Sequence, residues 1–307
     1  QAKEHSIITL LINKAQSSPA KIIALSFLAV ILSGTFLLLL PSSSASGSST
    51  DFLTALFTAT SATCVTGLVL VDTATYWSLS GQIIILALIQ IGGLGLVTIT
   101  TFFFTVLRKK MGIRTMTIAQ ESTASFSFSE VKKLVRKIII FTFSFEFAGF
   151  IIFSLRFIPL MGYKKGIYRA LFHSVSSFCN AGFDLMGSYS GEFSSLTAWN
   201  GDSVLMLTTA VLIISGGLGF IVWADILNLN KEKGLNFHTR LVLYSTAVLI
   251  LTGAIFFAIA ERNNFSIDSL GNMNLFQKIQ ASFFQSVTTR TAGVNSISQF
   301  NLSEISK

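Results

Sequence analysis

The chain has 307 residues, of which 51% are hydrophobic and only 12% charged, with a formal net charge of +8 and a mean hydropathy of +0.67. That balance excludes a soluble globular protein and places the chain in the membrane class. The positive charge does not call for a nucleic-acid partner, because its placement along the chain reads as a topology signal.

In chain order, residues 1–20 form a polar cytosolic segment without the small-residue cleavage pattern of a secretory signal, so the first apolar run reads as a retained helix. Apolar runs at 22–40, 83–107, 138–157, 204–227 and 241–260 are each near the roughly 20 residues that a bilayer core requires. With the N-terminus inside, Lys3, Lys14, Lys21, Arg108, Lys109, Lys110, Arg114, Lys132, Lys133, Arg136, Lys137, Lys231, Lys233 and Arg240 are cytoplasmic, 14 of the 22 basic residues. Seven (Arg156, Lys164, Lys165, Arg169, Arg262, Lys278, Lys307) lie outside, and Arg290 ends a short helix. This bias sets the orientation; the basic clusters also suit anionic lipid headgroups or a cytosolic partner.

Between the long runs lie segments such as Phe52–Cys64 and 167–179, too short to cross and too amphipathic to face lipid. They must dip into the membrane and return, which is tolerated only where protein or water satisfies the backbone. Three of them share one pattern, a half-polar helix ending at a glycine: Thr63-Cys64-Val65-Thr66-Gly67, then Phe178-Cys179-Asn180-Ala181-Gly182, then Arg290-Thr291-Ala292-Gly293. The glycines are 115 and 111 positions apart, too long for a solenoid unit and consistent with a duplicated multi-helix module. A single such glycine reads as a left-handed helix cap. Three equivalents in a membrane chain favour a second reading. The C-terminal ends of short helices aim partial negative charge at one axis, and glycine lets the chain turn back with its carbonyls inward. Rings of neutral carbonyls replace the hydration shell of potassium in selective filters.

With these segments, Gln90-Ile91-Gly92-Gly93-Leu94-Gly95 and Gly216-Gly217-Leu218-Gly219-Phe220, the chain resembles the Trk/Ktr/HKT superfamily of potassium transporters, most closely the Ktr pore-forming membrane subunit, over about residues 20–296. The resemblance implies an all-α polytopic fold with pseudo-fourfold helix, pore-loop, helix repeats around one pore. It implies potassium uptake across the cell membrane, with sodium as a candidate coupling ion, and no enzymatic activity or bound cofactor. It also implies a homodimer seated on a cytosolic ring of nucleotide-binding regulatory subunits. The repeats are expected at 21–112, 132–231 and, incomplete, 232–307, after a linker at 113–131, with the fourth repeat missing. The chain therefore reads as part of a pore subunit; the alternative is a truncated, non-conducting scaffold or assembly partner.

Other residues carry weaker signals. Gly93-Leu94-Gly95 lacks the third glycine of a dinucleotide loop, and small residues in spans serve helix packing. Glu146 lies in mid-span, where an acid needs a partner; pairing with a neighbouring helix is expected. Asp225 reads as an interfacial anchor or a contact for a regulatory partner, Arg290 as a ligand of terminal helix carbonyls, and His173 as a packing residue. His5, His173 and His238 have no metal-ligand spacing, and no nucleophile elbow or Walker lysine appears. Cys64 and Cys179, also 115 apart, occupy equivalent repeat positions rather than pairing.

Overall fold

The computed structural model describes residues 19–95, 128–227, 234–267 and 269–306. The expected N-terminal segment up to residue 18, residues 113–127 of the expected linker and the end of the first repeat lie outside the described residues, while residues 128–131, expected as linker, are already helical. The principal helices are α1 (Pro19–Leu39), α2 (Phe52–Cys64), α3 (Leu79–Leu94), α4 (Phe128–Met161), α5 (Tyr163–Phe178), α6 (Ser203–Gly217), α7 (Phe220–Leu227), α8 (Phe237–Ala260) and α9 (Leu275–Thr291). α4 and α8 are long and apolar enough to cross a membrane, as is the α6–α7 pair if it is one bent span.

The first two repeats each run first helix, pore-side helix, second helix, and the third contributes its first helix and pore-side helix; local sequence sets the starts. Asp51 caps α2 by accepting from the amides of Leu53 (3.0 Å) and Thr54 (3.3 Å). Asp202 caps α6 through Val204 and Leu205, each at 3.1 Å, and Asn274 with Gln277 forms a capping box on α9.

The short helices are buried and the long ones face outward. Ala59, Phe172 and Phe284 sit in the core, as do the polar Ser174, Ser176 and Ser177, whereas Phe36, Leu155 and Leu251 are more than half exposed. A polar interior inside an apolar shell is what lipid as the outer solvent requires.

A glycine on each first long helix admits the short helix. A Cβ on Gly34 would lie 3.4 Å from the Ala59 Cβ and one on Gly149 2.5 Å from Ser174 Oγ, and one on Gly253 would collide with Ser286. Ser174 donates to the Glu146 carbonyl (2.6 Å) and Ser286 to the Ile250 carbonyl (2.8 Å), each three residues before the glycine. The second and third repeats are thus built on the same contact, with small residues bringing backbones together.

The expected span at 204–227 is not continuous. It breaks after Gly217, and α7 leaves α6 at 95°. Gly219 has a φ of 85°, and Gly95, its counterpart after α3, a φ of 75°. The Gly-Gly-Leu-Gly motif therefore ends the second helix in both repeats, because a left-handed residue cannot continue an α-helix. Of the expected 83–107 span, the helix ends at Leu94, and residues 96–107 are outside the described residues.

Candidate functional site

α2, α5 and α9 point their C-terminal ends at one place, where the three glycine turns meet. Gly67, Gly182 and Gly293 have φ of 76°, 73° and 74°. A Cβ on Gly67 would lie 2.9 Å from the Ala181 carbonyl oxygen, and one on Gly182 would lie 2.6 Å from that of Ala292. The second and third turns thus each set the carbonyl before their glycine against the glycine of the preceding turn. Val65 and Asn180, both at φ 57°, add a left-handed residue two positions earlier, which sequence reasoning missed.

The amides of the turns face back into the protein. Thr66 N–H donates to Ser61 O (2.9 Å), Ala181 to Ser176 O (2.8 Å) and Gly293 to Thr288 O (3.1 Å), the six-to-one bond of a Schellman closure. In the third turn the bond falls on the glycine itself, because α9 continues to Thr291. Ser176 Oγ donates to Phe183 O (2.5 Å) and Thr288 Oγ1 to Val294 O (2.6 Å), tying each helix to the residue after its glycine. Among the described residues, the carbonyls of Val65, Thr66, Gly67, Ala181, Gly182, Ala292 and Gly293 accept no backbone hydrogen bond. Neutral oxygens left unpaired beside three helix C-termini suit a desolvated monovalent cation.

Beyond the glycines opens a cavity of about 230 Å³ lined by Gly67, Gly182, Gly293, Asp72, Asp184, Ser195 and Asn295, among others. Asp72 accepts from the amides of Ala74 (3.0 Å), Thr75 (2.9 Å) and Phe193 (3.0 Å), so it ties the first repeat to the second. Ser195 donates to Asp184 and accepts from the Asn295 amide at 3.0 Å, tying the second to the third. Burial pushes the Asp184 carboxyl up to about 6, assisted by the charge of Asp72 and opposed by bonds from Met186 and Ser195. Sequence reasoning overlooked both acids; the available signal was their place five residues after Gly67 and two after Gly182.

Behind the turns, α3 and α6 abut the backbone directly. A Cβ on Gly92 would collide with the Thr63 carbonyl, and one on Gly216 with that of Phe178. Both carbonyls stand four residues before a turn glycine, so the Gly-Gly-Leu-Gly motif packs as expected. Glu146 is buried and accepts from Gln90 Nε2 at 2.9 Å, with Cys179 Sγ at 3.9 Å. Cys64 and Cys179 are free thiols. His173 is buried against Phe153 and bonded to Thr209 (3.1 Å), a packing role as expected.

Asp225 accepts from Asn236 N (2.9 Å) and Nδ2 (2.7 Å), which joins α7 to the cap of α8. The expectation for Arg290 fails. Among the described residues no hydrogen bond joins Arg290 to terminal helix carbonyls; the Ala292 and Gly293 amides take Thr288 O instead.

Residues 9–307 match the family described as TrkH, Cation transport protein. The chain belongs to the TrkH family. This TrkH-family chain is 43% identical over 286 residues to the potassium/sodium uptake protein NtpJ of Enterococcus hirae, covering 93% of itself and 61% of that protein. It is 39% identical over 289 residues to Ktr system potassium uptake protein B of Vibrio alginolyticus (93% and 61%). To the Bacillus subtilis protein of that name it is 37% identical over 280 residues (91% and 61%). The TrkH-family chain thus spans about three fifths of the length of these relatives. Its fold matches the crystal structure of the potassium transporter TrkH from Vibrio parahaemolyticus with a TM-score of 0.61 at 14% identity, covering 92% of this chain and 52% of that one.

Proposed function

We propose that this chain supplies three turns of a potassium-selective filter in an uptake pore, through the carbonyls of Thr63 to Gly67, Phe178 to Gly182 and Arg290 to Gly293. The observation that carries the reading is the convergence of three left-handed glycines whose neighbouring carbonyls are left without backbone partners. Potassium is the cargo, sodium a candidate second ion, and the chain a transporter rather than an enzyme; relatives named for potassium uptake support this. No chemical energy source is required. A potential of about 100 mV is worth roughly 2.3 kcal/mol per charge, which accumulates a monovalent cation about fiftyfold.

The working assembly in this reading is a homodimer in the plasma membrane, N-terminus cytoplasmic, on a cytosolic nucleotide-binding ring. Orientation is supported by the basic bias of the inner loops, and the partners by family resemblance.

The test is Gly67→Ser in the full-length protein, reconstituted in liposomes. The left-handed φ of 76° and the Ala181 oxygen 2.9 Å from the new Cβ force the turn to shift. The potassium-to-sodium uptake ratio should fall about tenfold or more, since strain of 1–3 kcal/mol is at stake. An unchanged ratio would reject the filter assignment.

A further inference from the structure

Val65, Asn180 and Thr291 each stand two residues before a turn glycine, and only Asn180 carries a carboxamide. With its carboxamide turned to the orientation that satisfies both of its atoms, Nδ2 donates to the Ile213 carbonyl (3.2 Å) and to Thr291 Oγ1 (3.1 Å), while Oδ1 accepts from the Gly217 amide (3.2 Å). Ile213 and Gly217 are four residues apart on α6, so the carbonyl and amide that Asn180 holds are the two ends of one helical rung. A side chain entering that ladder is a recognised cause of sharp kinks. The break follows at once: α6 ends at Gly217, and α7 departs at 95°.

The approach depends on the glycines of α6, since a Cβ on Gly216 would lie 3.0 Å from the Asn180 carboxamide, at the atom that accepts from Gly217, besides striking the Phe178 carbonyl. In the first repeat the equivalent Val65 has only a methyl to set beside Gly92. The polar clasp therefore belongs to the second repeat, and through Thr291 it also reaches the third.

We propose that Asn180 is a positioning residue that couples the ion pathway to the bend of the second helix. One carboxamide fixes the Gly182 turn against the Gly293 turn and against the last rung of α6, so turn spacing and the α6–α7 angle are set together. The inference rests on reading the glycine turns as a potassium filter. Coupling of this kind is reciprocal: a cation that holds the turns also holds the bend, and movement of α7 is felt by the turns.

The experiment uses full-length protein, with potassium and sodium uptake in liposomes and hydrogen exchange of the peptide spanning 213–220 measured in each salt. Wild type should prefer potassium and exchange more slowly there in potassium than in sodium. Asn180→Leu should abolish that difference and lower the uptake ratio about tenfold, as expected for losing a hydrogen-bonded clasp. If Asn180→Leu does not assemble, Thr291→Val, which removes one of the three bonds, should diminish both effects, and Thr291→Ser should restore them. Persistence of either effect at wild-type size in the assembled variant overturns the coupling while leaving the filter reading intact. A wild type without potassium preference overturns the filter reading and this inference with it.

Discussion

In the proposed orientation the cavity beyond the glycines faces outward, and there Asp184 shows how one side chain sets a response to pH. Its carboxyl is raised to about 6 by burial and by Asp72, so it is charged at external pH 7 and neutral at pH 5. Protonation removes a negative charge from the cavity above the glycines, and local cation concentration falls with it. Potassium uptake at subsaturating concentration should drop about two- to threefold as external pH falls through 6. Asp184→Asn should be low and flat over that range. Retention of the wild-type pH profile in the variant would show that another group titrates.

Gly216 makes a second residue-scale case. Its missing Cβ leaves room for the Phe178 carbonyl, which is backbone and cannot rotate away. Gly216→Ala should destabilise the protein by about 1–3 kcal/mol, the usual cost of overpacking. Thermal unfolding in detergent reads this directly; a melting temperature equal to that of wild type would mean the helices can separate freely.

The element scale is governed by how helices meet. α3 and α4 are joined by the Gln90 to Glu146 bond of 2.9 Å, and the acid stands where the third repeat has Ile250, three residues before the admitting glycine. Glu146→Gln keeps polar atoms at both positions and should unfold near the wild-type temperature. Glu146→Leu strands the Gln90 amide and should cost about 1–3 kcal/mol. Equal melting of the leucine variant and wild type would remove any stabilising role from the pair. The need for a partner was legible from the depth of the acid in an apolar run, but Gln90 was not, because it lies 56 residues away. The bend after Gly217 was similarly hidden. Residues 204–227 are apolar throughout, and hydropathy does not register a left-handed glycine at 219.

At the scale of the molecule, the same local features recur along the chain. Each repeat contributes a glycine turn, an admitting glycine on its first helix and, in the first two, a Gly-Gly-Leu-Gly motif. The orientation predicted from charge is testable on the whole protein. An epitope inserted beside Ser48, in the loop between α1 and α2, should bind antibody on intact spheroplasts, and one beside Lys231 only after permeabilisation. The reverse pattern would invert the topology.

The sequence by itself determined the membrane class, the short helices and the three glycine turns. Hydropathy, helix caps and the absence of a Cβ are local properties, and a repeated motif compounds a weak local signal into a strong one. Only the tertiary structure decided which carbonyl meets which glycine, that Asp72 and Asp184 share one cavity, that Asp225 holds the cap of α8, and that Asn180 enters the α6 ladder. Those contacts join residues through packing between helices, and their partners are chosen by how closely backbones approach rather than by anything written next to them in the chain.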